Sequence, residues 1–145
     1  MKRNIFIGAL ILIFFTSFQQ PKPKSLTGKW SLLSYIDVKT GRTISIDSLP
    51  GYNKDKGITY QFSDDGQKGE FSGKDLCNTI SGKYELEYPN IIKIINFSST
   101  KVYCTGDQYP HEYHLTNANS YEVSNDTLTF TYKDNVGFMK FLKVK

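Results

Sequence analysis

The 145-residue chain is poor in the side chains that most catalysis requires. It has two cysteines, two histidines and one tryptophan, and it contains no Gly-x-Ser-x-Gly segment. A serine hydrolase needs a histidine base held beside a nucleophile, and the only histidines are His111 and His114. Their order, His111-Glu112-Tyr113-His114, also departs from the zinc-protease pattern His-Glu-x-x-His, whose ligands stand four apart. No third ligand is suggested nearby, so a solvated surface is the simpler reading. The acids Asp64-Asp65 and Glu85/Glu87 fall where turns and wet strand faces place charge in any case. No catalytic residue, metal ligand or cofactor is assigned, and an enzyme is not expected.

An excess of one charge sign is missing too. The 18 basic and 14 acidic residues give +4, and removing Lys2 and Arg3 with the first 20 residues leaves 16 against 14, or +2. The lysines are scattered singly, so no basic stripe for nucleic acid is present. No apolar run reaches the roughly 20 residues of a membrane-spanning helix. The longest, 11 residues from Ile5 to Phe15, follows the positive start Met1-Lys2-Arg3-Asn4. That pattern reads as a secretion signal over residues 1–20. No cysteine lies near it, which excludes lipid attachment, so membrane contact requires that the segment stay uncleaved. The expected location is exported, periplasmic or secreted. Pro21-Lys22-Pro23-Lys24-Ser25 is a stiff linker, and residues 26–145 form a single domain, expected to be a monomer.

What is present is alternation. Ile58, Tyr60 and Phe62 alternate with polar neighbours, as do Ile80, Gly82, Tyr84 and Leu86, and Leu128, Phe130 and Tyr132. Period two places these sets on one face of a strand. Asp64-Asp65-Gly66, Tyr88-Pro89-Asn90, Ser124-Asn125-Asp126 and Asp134-Asn135 separate the strands with turn-forming residues. A repeat near 10 residues predicts a mainly β fold, a single antiparallel barrel-like or strongly curved sheet of about seven to eight strands. Ile91 to Phe97 is apolar on both faces and predicts a central strand covered on both sides. The cover is expected from one short helix over residues 108–118, with Pro110 and Glu112 in its first turn. Residues 37–57 read as a long surface loop with a short strand near Thr43 to Ile46.

Cys77 and Cys104 stand 27 apart in a chain expected to be exported, where oxidation is the default. A disulfide between them would constrain the unfolded chain by about 3 to 4 kcal/mol on the loop-entropy account. Two buried thiols are the alternative. Asn78 reads as a turn residue bonded to nearby backbone.

The order of these features resembles the META domain, also called HslJ-like. The resemblance rests on Gly28-Lys29-Trp30 with Leu32-Leu33, the Ile58 to Phe62 strand with Asp65-Gly66, and Cys77-Asn78 with Ser81-Gly82-Lys83-Tyr84. Ser99-Thr100 through Cys104 and Asp126 to Phe130 complete it. The chain departs from the pattern at Leu76, where the family tends to carry glycine, in the 37–57 loop, and in lacking a lipid-attachment cysteine. The resemblance implies a small antiparallel β domain with a packed helix, exported from bacteria and linked to envelope stress, antibiotic tolerance or secretion. It supplies no catalytic residue. Gly28-Lys29-Trp30 is also similar to lipocalin-like barrels, where such a tryptophan closes one end. Two functions are therefore expected as alternatives: binding of an envelope protein or component, or carriage of a small apolar ligand. A carrier needs an unfilled interior of roughly 300 Å³ or more; of the ten Phe and ten Tyr, those that remain without the signal segment are expected, with Trp30, to fill it instead.

Overall fold

A computed structural model describes residues 21–37, 40–49, 57–102, 115–133 and 137–145. The alternating segments become strands: β1 (Gly28–Asp37), β2 (Arg42–Ser45), β3 (Thr59–Asp64), β4 (Lys68–Lys74) and β5 (Thr79–Glu87). β6 (Ile91–Ser99), β7 (Ala118–Ser124), β8 (Thr127–Tyr132) and β9 (Phe138–Lys143) follow, and a short 3-10 turn covers Ile46–Ser48. The strands lie in the order β2-β1-β3-β4-β5-β6-β7-β8-β9, and β1 pairs again with β9. All these pairings are antiparallel. β1 and β3 to β9 thus close an eight-stranded barrel, with β2 as an extra strand on β1.

The length of β1 permits this closure. Its first half pairs with β3 (Gly28↔Phe62, Ser31↔Thr59) and its second half with β2 (Ser34↔Ser45, Asp37↔Arg42). Its other edge carries β9 from Trp30↔Lys143 to Tyr35↔Met139.

Three bulges bend the wall. The register steps from Leu32↔Phe141 to Ser34↔Lys140, from Tyr84↔Ile94 to Lys83↔Asn96, and from Ala118↔Tyr132 to Ser120↔Thr131. Leu33, Ile95 and Asn119 are the extra residues. Each bulge adds curvature and shifts by one the positions that face inward. Trp30 and Leu32 are buried before the first bulge and Tyr35 after it; Ala118 is buried before the third and Tyr121 after it. Leu33 and Ile95, left on the outside, are 39% and 56% exposed.

The interior is aromatic. Phe62 sits 5.6 Å from Tyr84, 5.8 Å from Phe71 and 5.8 Å from Phe130, ring centre to ring centre. Phe141 joins Phe130 and Tyr60 edge-on, each at 5.6 Å. Such pairs contribute about 0.5 to 1.5 kcal/mol each beyond the area they bury. Rings also fold over glycines on neighbouring strands. A Cβ at Gly82 would lie 2.5 Å from the Phe71 ring and 2.3 Å from the Asn96 carbonyl oxygen, so the wall closes there only around a residue without a side chain.

The chain entering β1 closes one end. Leu26 is buried, and the Trp30 indole N–H donates to the Leu26 carbonyl at 2.8 Å. Lys143 Nζ lies 5.6 Å from the centre of the Trp30 ring, a cation–π contact. Gly28 takes φ 144, and a side chain there would press on Lys143.

Two expectations change. Ile91 to Phe97 is not covered on both faces. Ile92 is buried, Ile94 and Phe97 pack against the core, and the bulge puts Ile95 on the exposed wall. A run that reads as two-sided is therefore one-sided with a step in its alternation. The expected helix over residues 108–118 lies mostly outside the described residues; Leu115 and Thr116 are helical, whereas Ala118 already belongs to β7.

The bulge assignment separates two neighbouring isoleucines. Ile92→Ala should cost about 2 to 5 kcal/mol in urea unfolding, whereas Ile95→Thr should change stability by less than about 0.5 kcal/mol. Equal losses would contradict the register step.

Candidate functional site

Three clusters gather the polar side chains of the described residues, and two of them are structural. The first surrounds Cys77, in the connection from β4 to β5. Asp75 is buried, and its Oδ1 accepts the N–H groups of Cys77 at 2.8 Å and Asn78 at 2.5 Å, while Asp75 N–H donates to the Asn78 carbonyl at 3.0 Å. That is a turn held by its first side chain. Asn78 then reaches far along the chain rather than to nearby backbone. Its Oδ1 accepts the Val102 N–H at 2.8 Å and the Thr100 hydroxyl at 3.2 Å. Thr100 in turn accepts the Thr79 N–H on its hydroxyl at 3.0 Å and donates its own N–H to the Thr79 carbonyl at 3.1 Å. The Cys-Asn pair is thus a clamp on the chain leaving β6. No cysteine among the described residues is free. Cys104, the expected partner of Cys77, lies outside them, as do His111 and His114.

The second cluster ties down the closed end. Asp64 Oδ2 accepts both the Leu26 N–H and the Tyr84 hydroxyl at 2.8 Å, and its Oδ1 accepts the Gly66 N–H at 3.0 Å. The Tyr121 hydroxyl donates to the Lys24 carbonyl at 2.7 Å. Burial, reinforced by the hydrogen bond to Asp64, holds the Tyr84 phenol far above the usual tyrosine range. Burial, and then the negative charge of Asp64, pushes Tyr121 up to about 12. Burial raises Tyr132 as well. The neighbouring Asp65 accepts the N–H groups of Gln67 and Lys68, which lowers its carboxyl below the usual range.

The third cluster faces outward across β3 to β6. Cross-strand register sets one row, Gln61↔Ser72↔Ser81↔Ser98, beside a second, Ser63↔Glu70↔Lys83↔Asn96. All eight side chains are exposed. The short hydroxymethyl groups at positions 72, 81 and 98 lie next to the longer Glu70, Lys83 and Asn96. The difference in reach leaves an open groove of about 610 Å³, lined also by Gly82, the buried Phe71 and the half-buried Phe97. Its two charges are paired, with Lys83 Nζ 3.1 Å from Glu70 Oε1. Outside it, Lys68 pairs with Glu85 at 3.2 Å and Lys93 with Glu87. Exposed pairs of this kind contribute little to stability, but they neutralise the wall. Asn96 faces the groove because of the bulge at Ile95; unbroken alternation from Ile92 and Ile94 would have turned it inward.

Gln61, Ser63, Ser81 and Lys83 read in sequence as the polar side of a strand, whereas Asn96 falls in the run that reads as covered on both faces, and only the register assembles the two rows. Asp64 reads as a turn acid, and its long-range bonds to Leu26 and Tyr84 carry no sequence signal.

The family model of the META domain matches residues 24–144. Among solved structures, a DUF4847 family protein from Bacteroides vulgatus is similar in fold, with a TM-score of 0.55 and 17% identity over 82% of this chain and 94% of that one. No curated protein matches the chain.

Two substitutions test the structural clusters. Asn78→Ala should cost about 0.5 to 1.5 kcal/mol in urea unfolding by removing the hydrogen bonds from the Val102 N–H and the Thr100 hydroxyl. The folded state keeps the Tyr84 and Tyr121 phenols protonated where the unfolded chain, near pH 10, releases them. Their contribution is therefore full below about pH 10 and declines as pH rises toward 12 and beyond. Denaturant unfolding against pH should show that decline, and Tyr84→Phe should make it shallower; an unchanged slope would contradict the Tyr84 assignment.

Proposed function

The chain belongs to the META domain family, and from that premise we propose that it is an exported, non-enzymatic domain that binds a protein or a component of the cell envelope through its outer wall. The carrying observation, among the described residues, is a buried aromatic interior beside an open outer groove. Trp30, Tyr35, Tyr60, Phe62, Phe71, Tyr84, Phe130 and Phe141 occupy the interior, all buried, while the groove of about 610 Å³ opens outward across β3 to β6. Interior packing of that kind disfavours the carrier reading, which needs an empty apolar cavity. In the groove, Glu70 is held by Lys83, an arrangement suited to a surface that binds rather than to an acid poised for proton transfer.

Export rests on the positive start and apolar run of residues 1–20. We further propose a Cys77–Cys104 disulfide. Cys77 is not a free thiol, the chain has one other cysteine, and the Asn78 clamp fixes Thr100 and Val102 two to four residues before it. The bridge and the clamp would then fasten the same connection, one covalently and one by hydrogen bonds.

Native mass spectrometry of the protein recovered from a bacterial envelope fraction tests the reading in one experiment. The expected species is a monomer lacking the export segment, without a bound apolar molecule, that gains the mass of two hydrogen atoms on reduction by an added thiol. A retained lipid-like adduct would revive the carrier, and a full-length mass in the cytoplasm would remove export.

A further inference from the structure

We propose that the outer face of β1 and β9, at the closed end of the barrel, docks on an anionic phospholipid bilayer. This rests on the reading that the protein is exported and binds an envelope component through its outer wall. It concerns the side of the barrel opposite β5 and β6. Three observations carry it. First, charge is uneven around the wall. Lys68, Lys83 and Lys93 on β4 to β6 each pair with a glutamate, whereas among the described residues no carboxylate pairs with Lys29, Lys140 or Lys143. The acids near this face are engaged or distant. Asp126 is taken by Lys145 at 3.6 Å, Asp64 by Leu26, Gly66 and Tyr84, and Asp65 by the backbone of its own turn. Glu122 stands two strands from Lys140 (Glu122↔Thr129↔Lys140), roughly 10 Å away at ordinary strand spacing.

Second, apolar side chains interleave with these lysines. Leu33, Leu142 and Val144 are 39%, 45% and 38% exposed. Leu142 lies opposite Ser31, and the Val144 N–H donates to the Lys29 carbonyl at 2.8 Å. Lysine can lay its stem on such a surface and reach a headgroup phosphate with its ammonium group. The core of a protein interface has the opposite composition, depleted in lysine and anchored by aromatic residues and arginine. Third, the chain enters the domain at this end. The Tyr121 hydroxyl holds the Lys24 carbonyl at 2.7 Å, and Lys24 Nζ donates to the Val123 carbonyl at 3.1 Å, which leaves its charge uncompensated. The following turn offers its Asp126 carbonyl to the Lys143 N–H at 2.8 Å. An exported chain leaves the membrane through residues 21–25, so this end starts against the bilayer.

The side chains available also bound the strength of the contact. Each lysine near an anionic surface adds about 5-fold to binding, and salt screens it. A few lysines with three shallow apolar side chains make a reversible surface contact, far weaker than a spanning helix. Such a contact does not require the export segment.

The test is co-sedimentation of the exported protein, its N-terminus defined by mass, with protein-free vesicles. Vesicles of phosphatidylglycerol and phosphatidylethanolamine should bind it at low salt and release it at high salt; vesicles of phosphatidylcholine alone should not bind it. Lys29→Gln with Lys140→Gln should weaken binding about 10- to 30-fold, and Leu33→Ser with Leu142→Ser about 10-fold. Lys83→Gln with Lys93→Gln removes the same charge from the opposite wall and should change binding by less than about 2-fold, because that wall lies beyond the screening length. All three variants should keep a thermal midpoint close to that of the parent. In nanodiscs carrying a paramagnetic lipid, amides at residues 29–33 and 140–144 should broaden while those at 81–85 and 92–96 stay sharp. No binding to anionic vesicles, equal binding to phosphatidylcholine, or equal losses from the two lysine pairs would overturn the lipid assignment. Capture by whole envelopes separates this inference from the reading beneath it. Capture that the Lys29/Lys140 pair abolishes, without vesicle binding, keeps outer-wall binding and gives the face to an envelope protein; capture indifferent to both β1/β9 pairs removes the face, and no capture removes outer-wall binding as well.

Discussion

The pairing of β1 with β9 is the constraint from which the rest of this protein follows. It turns nine strands from an open sheet into a barrel, and a barrel of eight strands has just enough interior for side chains to fill. Trp30, Tyr60, Phe62, Phe130 and Phe141 supply that filling, and their ring contacts tie β3 to β8 and β9 past β1, and β8 to β9. Closure also requires the wall to bend, which the bulges at Leu33, Ile95 and Asn119 provide. Each bulge reassigns which residues face in. The same bend that lets Phe97 reach the core turns Asn96 to the outside.

Among the described residues the aromatic interior is buried, and the outer wall is the surface open to contact. On most of the outer wall the side chains are charged pairs or scattered apolar residues, and such surfaces are ordinary. Across β3 to β6 the short serines lie beside longer neighbours and leave a groove with balanced charge. Its shape thus comes from side-chain length and strand register together. The Cys77 turn, the Asn78 clamp and the Asp64 cluster hold the two ends of these strands and keep the register in place.

Much of the fold was legible in the sequence because period two survives wherever a strand is straight. Tyr60 and Phe62, Ile80, Tyr84 and Leu86, and Leu128, Phe130 and Tyr132 face inward as their spacing implies. Where a bulge intervenes, the alternation slips, and Ile91 to Phe97 reads as a strand buried on both faces when it is buried on one. The site was harder to see. Asn78 looks like a local turn residue because its partners, Thr100 and Val102, are more than 20 positions away. Ser72, Ser81, Ser98 and Asn96 are unremarkable singly; pairing across four strands makes them a surface. The Cys-Asn block is a fastening, and it carries the family resemblance more than it carries chemistry.

Binding through the outer wall, as proposed, requires above all that the interior be full. Crystals equilibrated under xenon pressure report apolar voids, since xenon enters empty cavities lined by hydrocarbon. The account predicts no xenon inside the barrel. A well-occupied xenon atom among Tyr60, Phe62, Phe130 and Phe141 would contradict it and return the interior to consideration as a ligand site.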